Sequence, residues 1–515
     1  MKASGYAQAE GALATDFYQL TVAQVYYRHG LHEQPAQFEH FFRTYPDYGR
    51  HKAGFCVHAG MEWLLDWMQQ ARFGPADLEC LKAHRGRGGQ SLFDDGFLGW
   101  LRSGCDFTAL RLRSVPEGRV VHPHTPLTVV EGPLATAQIL ETPLLNTINY
   151  QTLIATKAAR VKLSAEDGLL LEFGARRAHG SAAIAGSRAA LIGGADFTSN
   201  TGLSYAVGLP PKGTHAHSLI QAFLALGGDE RDAFRAFADS YPDDCVLLVD
   251  TVDTLESGIP NAIKVFEELR RKGHEPVGIR LDSGDLAYLA LRASQMLDAA
   301  GFPDVQIVLS NQLDELVILQ ILTQIRAEAR DLGLDADHVI RRLVYGVGTA
   351  LVTSRGDGAL DGVYKLTALQ TDGRWRPILK LSQTPAKVPT PGRKELWRLY
   401  DGSGKAIADV IAAEGEDPGG MDPLVLHHVL EEGVQRSLPR AEIQSAERLL
   451  EPVSAPAPNA QVDLEILRQR RREDLRRLHP GVKRIVNPHR YHVSLTDTTW
   501  KLKHELVERW RPRGS

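Results

Sequence analysis

VGIRLDSGDLAYLALRASQMLDAAGFPDVQIVLS, residues 277–310, contains two apolar runs on either side of a helical pattern. The runs VGIRLD (277–282) and VQIVLS (305–310) are apolar almost throughout, which is typical of strands buried on both faces of a sheet. The segment between them has apolar residues at helical spacing and ends on Gly301, a residue type that favours the end of a helix. This stretch therefore predicts a strand–helix–strand unit with parallel strands.

The same alternation continues on both sides of this stretch. Further strand-like runs are GLLLEF (168–173), CVLLVD (245–250), RLVYGV (342–347) and GVYKLTAL (362–369), and helical patterns fill the gaps. A β-α series of this length predicts an α/β fold whose sheet closes, or nearly closes, into a barrel rather than staying open. The pattern of predicted strands and helices changes before and after this series. We therefore divide the chain into residues 1–145, 146–375 and 376–515.

The flanking regions have patterns of their own. LRLRSVPEGRVVHPHTPLTVVEG (110–132) predicts short strands joined by Pro/Gly turns, and PTPGRKELWRLYDGSGKAIADVI (389–411) predicts a β-hairpin. The basic run RQRRREDLRRLHPGVKR (468–484) could be a nucleic-acid-binding arm or a solvated helix. Acidic residues interrupt it, and Leu475 and Leu478 recur at helical spacing, so a solvated amphipathic helix is favoured.

Composition indicates a globular protein of more than one domain. The chain has 515 residues, of which 43% are hydrophobic and 24% charged, and its formal net charge is -4. This length is too great for one compact core, and the charge balance gives no field that favours nucleic acid or an anionic membrane. No apolar run approaches the roughly 18 residues needed to span a bilayer, and the N-terminus lacks the apolar core of a signal peptide. Because no C-x-x-C pair occurs, we expect reduced thiols in a cytoplasmic protein.

Polar residues follow several of the predicted strands. In β/α barrels the carboxyl ends of the strands carry the chemistry. RLDSGDL (280–286) places Arg280 and Asp282 two residues apart at such an end, so they share a face and suit a ligand with an anionic group and hydroxyls. Asp285 in the same motif is explained equally well as the cap of the next helix.

Two other strand ends suit a phosphate and an aromatic ring. YGVGTAL (345–351) brings a strand into Gly-x-Gly-Thr, which is either a phosphate cradle or an ordinary tight turn. EFGARRAHG (172–180) follows another strand with Phe173 and Arg176. These side chains suit an aromatic ring and a polyanion, although a surface basic loop beside a core phenylalanine would have the same sequence.

The motif GTHAHS (213–218) contains His215 and His217. A zinc site would need a third ligand, and the neighbouring sequence has no H-x-x-E motif and no set of cysteines. A nucleophilic or basic histidine would need a carboxylate to fix its tautomer. Asp250, at the end of the next strand along the chain, is a suitable orienting group.

Taken together and in order, many strings of this chain resemble the nicotinate phosphoribosyltransferase family over nearly the whole length. The strings that carry the resemblance are TDFYQLTVAQVY (15–26), FEHFFR (38–43), ETPLLNTINYQTLIATKAAR (141–160), EFGARRAHG (172–180), TSNTG (198–202), GTHAHS (213–218), LLVDTVDTLESG (247–258), GIRLDSGDL (278–286), VLSNQLDE (308–315), YGVGT (345–349), PGRKELWR (391–398) and NPHRYHVSLT (487–496).

The resemblance implies a fold and an activity. The fold is an irregular β/α barrel with an N-terminal α/β domain that is completed by C-terminal segments. The family joins nicotinate to 5-phosphoribosyl-1-diphosphate, giving nicotinate mononucleotide and diphosphate in NAD biosynthesis. ATP is hydrolysed as a co-substrate, and Mg²⁺ is required. Members act as homodimers whose subunits share their active sites, and no nucleic acid or membrane partner is implied.

The resemblance also assigns residues to the substrates. Phe173 matches the residue that stacks on the nicotinate ring, and the partner subunit's Tyr18 matches the other side of the ring. Arg176 and Arg280 match residues that hold substrate anions, and Asp282 matches a contact to ribose or to diphosphate and its Mg²⁺. The remaining substrate-binding residues are Thr198, Ser199, Ser283 and Asn311, with Gly348 and Thr349 as the 5-phosphate cradle.

A phosphorylated histidine is implied as well. His217 matches the histidine that ATP phosphorylates, and Asp250 matches the carboxylate that orients it. Together with Arg280 and Asp282, these two residues form the implied catalytic set. A phosphohistidine beside the diphosphate site would alter the affinity for the phosphoribosyl donor. His215 occupies a variable position of the motif, and we assign it no role.

Three positions bear on the alternatives. Ser199 falls where nicotinamide-specific relatives have an aspartate, which would repel the carboxylate of nicotinate, so serine argues against a nicotinamide-using enzyme. The length and the GTHAHS histidine argue against a quinolinate-using phosphoribosyltransferase. Gln312 replaces a frequent acidic residue and would suit a catalytically silent nucleotide-binding barrel, and Phe197 replaces a common glycine beside the ring pocket.

Overall fold

The computed structural model describes residues 10–384, 387–454 and 463–510. Contacts group these residues into two compact units. One unit combines the described residues up to Leu153 with those from Ala359 onward, and the other is Ile154–Gly358. The division of the chain at 145 and 375 stays a prediction. No helix within the described ranges is both long and apolar enough to cross a bilayer.

The strands in chain order are β1 (Pro35–Phe42), β2 (Cys56–Val57), β3 (Arg111–Ser114), β4 (Val120–Val121), β5 (Thr128–Pro133), β6 (Leu169–Glu172), β7 (Phe197–Thr198), β8 (Val246–Leu248), β9 (Gly278–Leu281), β10 (Gln306–Leu309), β11 (Leu343–Val347), β12 (Gly362–Thr371), β13 (Arg374–Pro377), β14 (Lys394–Tyr400), β15 (Ala406–Ala413), β16 (Leu424–His428), β17 (Gln435–Leu438), β18 (Ser445–Arg448), β19 (Glu451–Val453) and β20 (Val493–Thr496). The α-helices are Phe17–Arg28, Met61–Gln70, Pro75–Lys82, Asp95–Ser103, Leu134–Ile139, Glu141–Ser164, Ser181–Gly193, Thr201–Ala206, His217–Ala225, Glu230–Ser240, Ile259–Arg271, Leu286–Ala299, Glu315–Glu328, Ala336–Arg341, Thr349–Val352, Leu464–Arg477 and Asp497–Trp510.

The first unit contains two large sheets. The order β13-β12-β1-β5-β3-β19 is antiparallel throughout, and the order β17-β16-β20-β15-β14-β18 has one parallel pair, β15 with β20. The predicted hairpin at 389–411 is confirmed as β14 paired with β15, and the strands predicted within 110–132 are confirmed as β3, β4 and β5. Because β19 pairs with β3, a C-terminal segment completes the N-terminal domain, as expected.

The second unit is built on one parallel sheet, β7-β6-β11-β10-β9-β8. Its strands are buried, with Ile307 and Leu309 fully inaccessible to solvent, which explains their apolar runs. Asp285 caps the N-terminus of the helix Leu286–Ala299. Its carboxylate accepts from the backbone N–H groups of Ala287 and Tyr288 at 3.1 Å each. Just beyond that helix, Gly301 has φ of +79°, so the predicted end is confirmed.

The sheet differs from the prediction at two strands. The run 362–369 was expected in the parallel series, but β12 pairs antiparallel with β1 in the first unit. The short strand β7 takes an edge of the parallel sheet instead. Closure into a barrel is not confirmed, since no ladder joins the edge strands β7 and β8 among the residues that the structure describes.

The basic C-terminal run forms a helix whose inner face is buried. The helix Leu464–Arg477 ends before residue 484, and Asp474 is only 4% exposed. One carboxylate oxygen, Asp474 Oδ2, accepts from Arg119 Nε at 2.9 Å, from Val120 N at 2.7 Å and from Arg398 Nη1 at 3.1 Å. The helix is therefore confirmed, but it is fixed to the core of its unit rather than solvated on all sides.

Candidate active site

One face of the parallel sheet carries polar side chains at the carboxyl ends of its strands. The ladders pair Leu248 with Arg280, Arg280 with Val308, and Val308 with Val344. They also pair Gly346 with Leu171, which in turn pairs with Phe197. Side chains two residues apart along a strand share a face. Within the strands, one face therefore carries Leu248, Arg280, Val308, Val344, Leu171 and Phe197, and contacts of Arg280 bring Phe173, Asp282 and Ser310 beside it.

Arg280 connects three polar groups on this face. Its Nε donates to Ser310 Oγ at 2.9 Å, and its Nη1 donates to Thr214 Oγ1 at 3.1 Å. Its Nη2 donates to Asp282 Oδ1 at 3.1 Å, and Ser310 Oγ also hydrogen-bonds to that carboxylate. These contacts use three of the five guanidinium N–H groups, so two remain for a ligand. The guanidinium carbon lies 5.7 Å from the centre of the Phe173 ring, which puts a cation beside an aromatic face.

His217 and Asp250 form a second polar pair. His217 is the first residue of the helix His217–Ala225, and its Nε2 lies 3.2 Å from Asp250 Oδ1. The other oxygen, Asp250 Oδ2, accepts from Ser283 Oγ at 2.6 Å and from the backbone N–H of Asp282 at 3.1 Å. The Asp250 side chain is 1% exposed and that of His217 is 40% exposed. A buried, fully oriented carboxylate thus holds an accessible imidazole.

The segment Lys212–His215, called here the bridging segment, contacts both edges of the parallel sheet. The Lys212 N–H donates to the Thr198 carbonyl of β7 at 3.0 Å. At the other end, His215 Nε2 accepts from the Leu248 N–H of β8 at 3.0 Å. Burial, together with the nearby positive charge of Arg280, lowers the pKa of His215 to about 4, so the ring stays neutral and its Nε2 remains an acceptor. His215, to which the sequence assigns no role, thus holds the edge of the sheet.

The Phe173 ring packs directly against the backbone at Gly346, which leaves no room for a side chain at that position. A Cβ atom on Gly346 would lie 2.6 Å from a carbon of that ring. Phe197 packs on the same face of the sheet, and Lys212 Nζ lies 5.5 Å from the centre of its ring.

The Thr198 side chain points to the opposite face, where it is fully buried and donates to Glu172 Oε2 at 2.6 Å. The Thr198 side chain is therefore turned away from the face of Phe173.

The remaining expected residues lie at the rim of this face or elsewhere. Arg176 is exposed in the turn Ala175–Arg177, and Thr349 is exposed at the start of a short helix. Asn311 is exposed with φ of +96°, a conformation that non-glycine residues seldom adopt. Tyr18 belongs to the other compact unit, where it is 51% exposed on the helix Phe17–Arg28. Partial burial and the nearby charge of Glu141 raise the pKa of Tyr18 to about 12.

The structure adds one residue that the sequence did not single out, Thr214, beside two residues at predicted strand ends, Ser310 and Glu172. Thr214 and Ser310 hold the Arg280 guanidinium, and Glu172 binds Thr198 together with the N–H of Gly174. Ser310 and Glu172 do follow from the rule that strand ends carry polar residues. Thr214 lies inside the GTHAHS motif, so its closeness to His217 in sequence was the available signal.

Comparison with known proteins identifies relatives over the whole chain. Residues 13–149 match the family model of the nicotinate phosphoribosyltransferase N-terminal domain, and residues 393–503 match that of the C-terminal domain. The chain is 38% identical to nicotinate phosphoribosyltransferase of Bacillus subtilis (strain 168) over 512 residues, covering 99% of this chain and 98% of that protein. It is 31% identical to nicotinate phosphoribosyltransferase of Caenorhabditis elegans, covering 98% and 94%. The crystal structure of human nicotinic acid phosphoribosyltransferase is similar with a TM-score of 0.75 and 28% identity, covering 96% of this chain and 99% of that one.

Proposed function

Because the chain belongs to the nicotinate phosphoribosyltransferase family, we propose that it joins nicotinate to 5-phosphoribosyl-1-diphosphate, releasing nicotinate mononucleotide and diphosphate. The single observation that best supports this reaction is the position of Arg280. Its guanidinium is fixed by Ser310, Thr214 and Asp282 and lies beside the Phe173 ring, so one face offers a cation and an aromatic surface together.

The base is held by stacking and by its carboxylate. The pyridine ring packs on Phe173, whose backing by Gly346 keeps the ring in place. Ser199 directly follows β7 and adds no negative charge near the substrate carboxylate. Arg280 and the exposed Arg176 supply positive charge for substrate anions. We propose that the partner subunit's Tyr18 covers the other side of the pyridine ring.

The reaction needs positioning rather than a strong base. The lone pair of the pyridine nitrogen attacks C1 of the ribose, and the bond from C1 to the diphosphate oxygen breaks with its electron pair leaving on diphosphate. The pyridine nitrogen carries no proton, so no residue has to remove one. Fixed charges therefore lower the barrier by stabilising the cationic sugar and the departing anion. Arg280 and Asp282 have that task, while Gly348 and Thr349 bind the 5-phosphate.

The residues present fit a magnesium ion that is bound jointly with substrate. Within the described residues, no group of three or more His, Cys, Asp or Glu side chains is arranged to hold a metal by itself. Mg²⁺ is commonly held by one or two carboxylates together with substrate phosphates and water, and Asp282 is a partly exposed carboxylate on the site face. Asp282 would hold the ion, which would neutralise charge on the diphosphate.

ATP coupling is assigned to His217. The γ-phosphoryl group of ATP would be transferred to the imidazole, with Asp250 fixing the tautomer of the ring. The phosphorylated histidine changes the affinity of the site for the phosphoribosyl donor, and its hydrolysis returns the free imidazole. The functional form is a homodimer with shared active sites. We propose a cytoplasmic location, which suits the four free cysteines.

One assay tests this function. The protein is incubated with 5-phosphoribosyl-1-diphosphate, Mg²⁺ and nicotinate, nicotinamide or quinolinate, with and without ATP, and the mononucleotide and diphosphate are measured. We expect turnover with nicotinate and stimulation by ATP. Turnover with nicotinamide or quinolinate but not nicotinate would assign the chain to one of those enzymes. Binding of nicotinate mononucleotide without turnover of any base would indicate a silent barrel.

A further inference from the structure

We infer that Thr214 is a positioning residue that couples the phosphoryl-accepting His217 to the substrate-binding Arg280. This inference rests on the proposed function, because it concerns how ATP alters the affinity for the phosphoribosyl donor. We expect Thr214 to contact neither the substrate nor the phosphoryl group. It acts through the two residues that do.

The Thr214 hydroxyl donates one hydrogen bond and accepts another. It donates to the His215 carbonyl at 3.2 Å and accepts from Arg280 Nη1 at 3.1 Å. Because the hydroxyl proton points to the backbone of the bridging segment, a lone pair is directed at the guanidinium. The contact therefore has a fixed direction and links the chain just before His217 to the side chain of Arg280.

The bridging segment is bound to the sheet at both ends, so it has little freedom to absorb a structural change at His217. Lys212 is bound to β7 through its backbone N–H, and His215 is bound to β8 through its ring. His217 follows two residues later as the first residue of its helix. A phosphoryl group on His217 adds roughly two negative charges next to this anchored segment. Displacement of the segment then reaches Arg280 through Thr214.

These contacts predict how phosphorylation of His217 is coupled to binding of the phosphoribosyl donor at Arg280. Coupling between two sites typically changes an affinity about 5- to 150-fold. If Thr214 carries that coupling, removing its hydroxyl leaves His217 able to accept phosphate but separates this event from Arg280. The KM for 5-phosphoribosyl-1-diphosphate then responds much less to ATP.

The experiment compares Thr214→Val, which keeps the branched shape but lacks the hydroxyl, with Thr214→Ser, which keeps the hydroxyl. The KM for 5-phosphoribosyl-1-diphosphate is measured with and without ATP, and phosphohistidine is quantified with γ-labelled ATP. We expect the wild type and Thr214→Ser to show an ATP-dependent change of KM of at least about fivefold. We expect Thr214→Val to show less than half of that change while forming phosphohistidine normally. Thr214→Ala serves as a second hydroxyl-free variant, and its result decides if Thr214→Val does not fold.

Three results would count against these ideas, and they are distinguishable. An undiminished ATP effect in the hydroxyl-free variants would overturn the coupling role of Thr214. Loss of phosphohistidine in those variants would also overturn it, since Thr214 would then act on phosphorylation itself. A wild type that forms no mononucleotide, or whose KM does not respond to ATP, would instead contradict the proposed function.

Discussion

The Nε2 atom of His217 lies 3.2 Å from the Oδ1 atom of Asp250, and the carboxylate is almost completely buried. An ionised carboxylate only accepts hydrogen bonds, so the proton of the neutral imidazole lies on Nε2. The lone pair of the neutral imidazole is therefore on Nδ1. The Asp250 contact thus leaves one defined ring nitrogen with a free lone pair, on a side chain that is 40% exposed.

Replacing the carboxylate with an amide should reverse this tautomer. In Asp250→Asn the amide N–H₂ can donate to Nε2, which moves the imidazole proton to Nδ1. We expect phosphohistidine formation from γ-labelled ATP to fall by about 10²-fold, the scale of a misplaced proton in catalysis. Asp253→Asn is the matched control, because Asp253 caps the turn Leu255–Glu256 and asparagine caps equally well. Equal labelling in Asp250→Asn and the wild type would contradict this orienting role.

The planar fork of Arg280 should be irreplaceable by lysine. The guanidinium reaches Ser310, Thr214 and Asp282 at once, whereas a lysine ammonium is a compact charge without that geometry. We expect Arg280→Lys to raise the KM for 5-phosphoribosyl-1-diphosphate by about tenfold or more, equivalent to about 1.4 kcal/mol. Arg271→Lys, at the exposed end of the helix Ile259–Arg271, should leave the KM unchanged. A KM in Arg280→Lys equal to that of the control would remove Arg280 from the substrate site.

The choice of base should depend on Ser199 and not on its neighbour. A carboxylate at position 199 would repel the carboxylate of nicotinate and accept from the amide of nicotinamide. We expect Ser199→Asp to shift the ratio of kcat/KM for nicotinate over nicotinamide by about 10²-fold toward the amide, the scale of one misplaced charge. Thr198→Val removes a buried hydroxyl on the face opposite Phe173, so it should lower the Tm without changing this ratio. The reverse pattern would show that the two side chains have exchanged roles.

His215 should make the free energy of unfolding depend on pH. Its pKa is lowered from 6.5 to about 4 in the folded chain. Between these values the unfolded state binds more protons, so stability is complete above about pH 6.5 and falls as the pH is lowered toward 4. Going from pH 7.5 to pH 5, this one group should cost about 2 kcal/mol.

Chemical denaturation at the two pH values measures this cost. His215→Gln keeps an acceptor for the Leu248 N–H but does not titrate, so the loss of stability on acidification should shrink by that amount. His179→Gln, at an exposed position, should keep the loss seen in the wild type. If His215→Gln lost as much stability as the wild type, the buried neutral imidazole would not be the source.

The carboxylate of Asp474 should be a main anchor of the helix Leu464–Arg477. Asp474 Oδ2 binds Arg119, Arg398 and a backbone N–H, and Arg398 is 1% exposed. Removing one partner of a buried charged group typically costs about 3–5 kcal/mol, so we expect a loss of that size for Asp474→Ala in denaturant titrations. Glu473→Ala, on the exposed side of the same helix, should change stability by less than about 0.5 kcal/mol. Equal effects of the two substitutions would contradict the anchoring.

Much of the second unit could be predicted from local sequence. Buried parallel strands are apolar throughout, so β6, β8, β9, β10 and β11 were recognisable, and their carboxyl ends indicated Asp250, Arg280 and Asp282. The strand β7 was missed because two residues, Phe197 and Thr198, are too few to show any period. The apolar run at 362–369 resembles the others, but its pairing with β1 depends on a contact across more than 300 residues.

The contacts of the bridging segment could not be predicted for a similar reason. Thr214 meets Arg280 across 66 positions, and His215 meets Leu248 across 33. Neither residue type predicts such a contact, since threonine and histidine are common in polar loops. The resemblance to a known family pointed to His217, because its motif is specific, but gave no information about a neighbouring position that varies. The tertiary structure shows what His215 does, since its ring binds the Leu248 N–H.

The bridging segment also has a consequence for association between molecules. A strand at the edge of a sheet normally offers a row of free amides and carbonyls with which another chain can pair. Here the edge strands β7 and β8 have only two and three residues. The Thr198 carbonyl on one edge and the Leu248 N–H on the other are already bound by Lys212 and His215. The segment that leads to His217 thus covers backbone groups at both edges of this sheet with which another chain could otherwise pair.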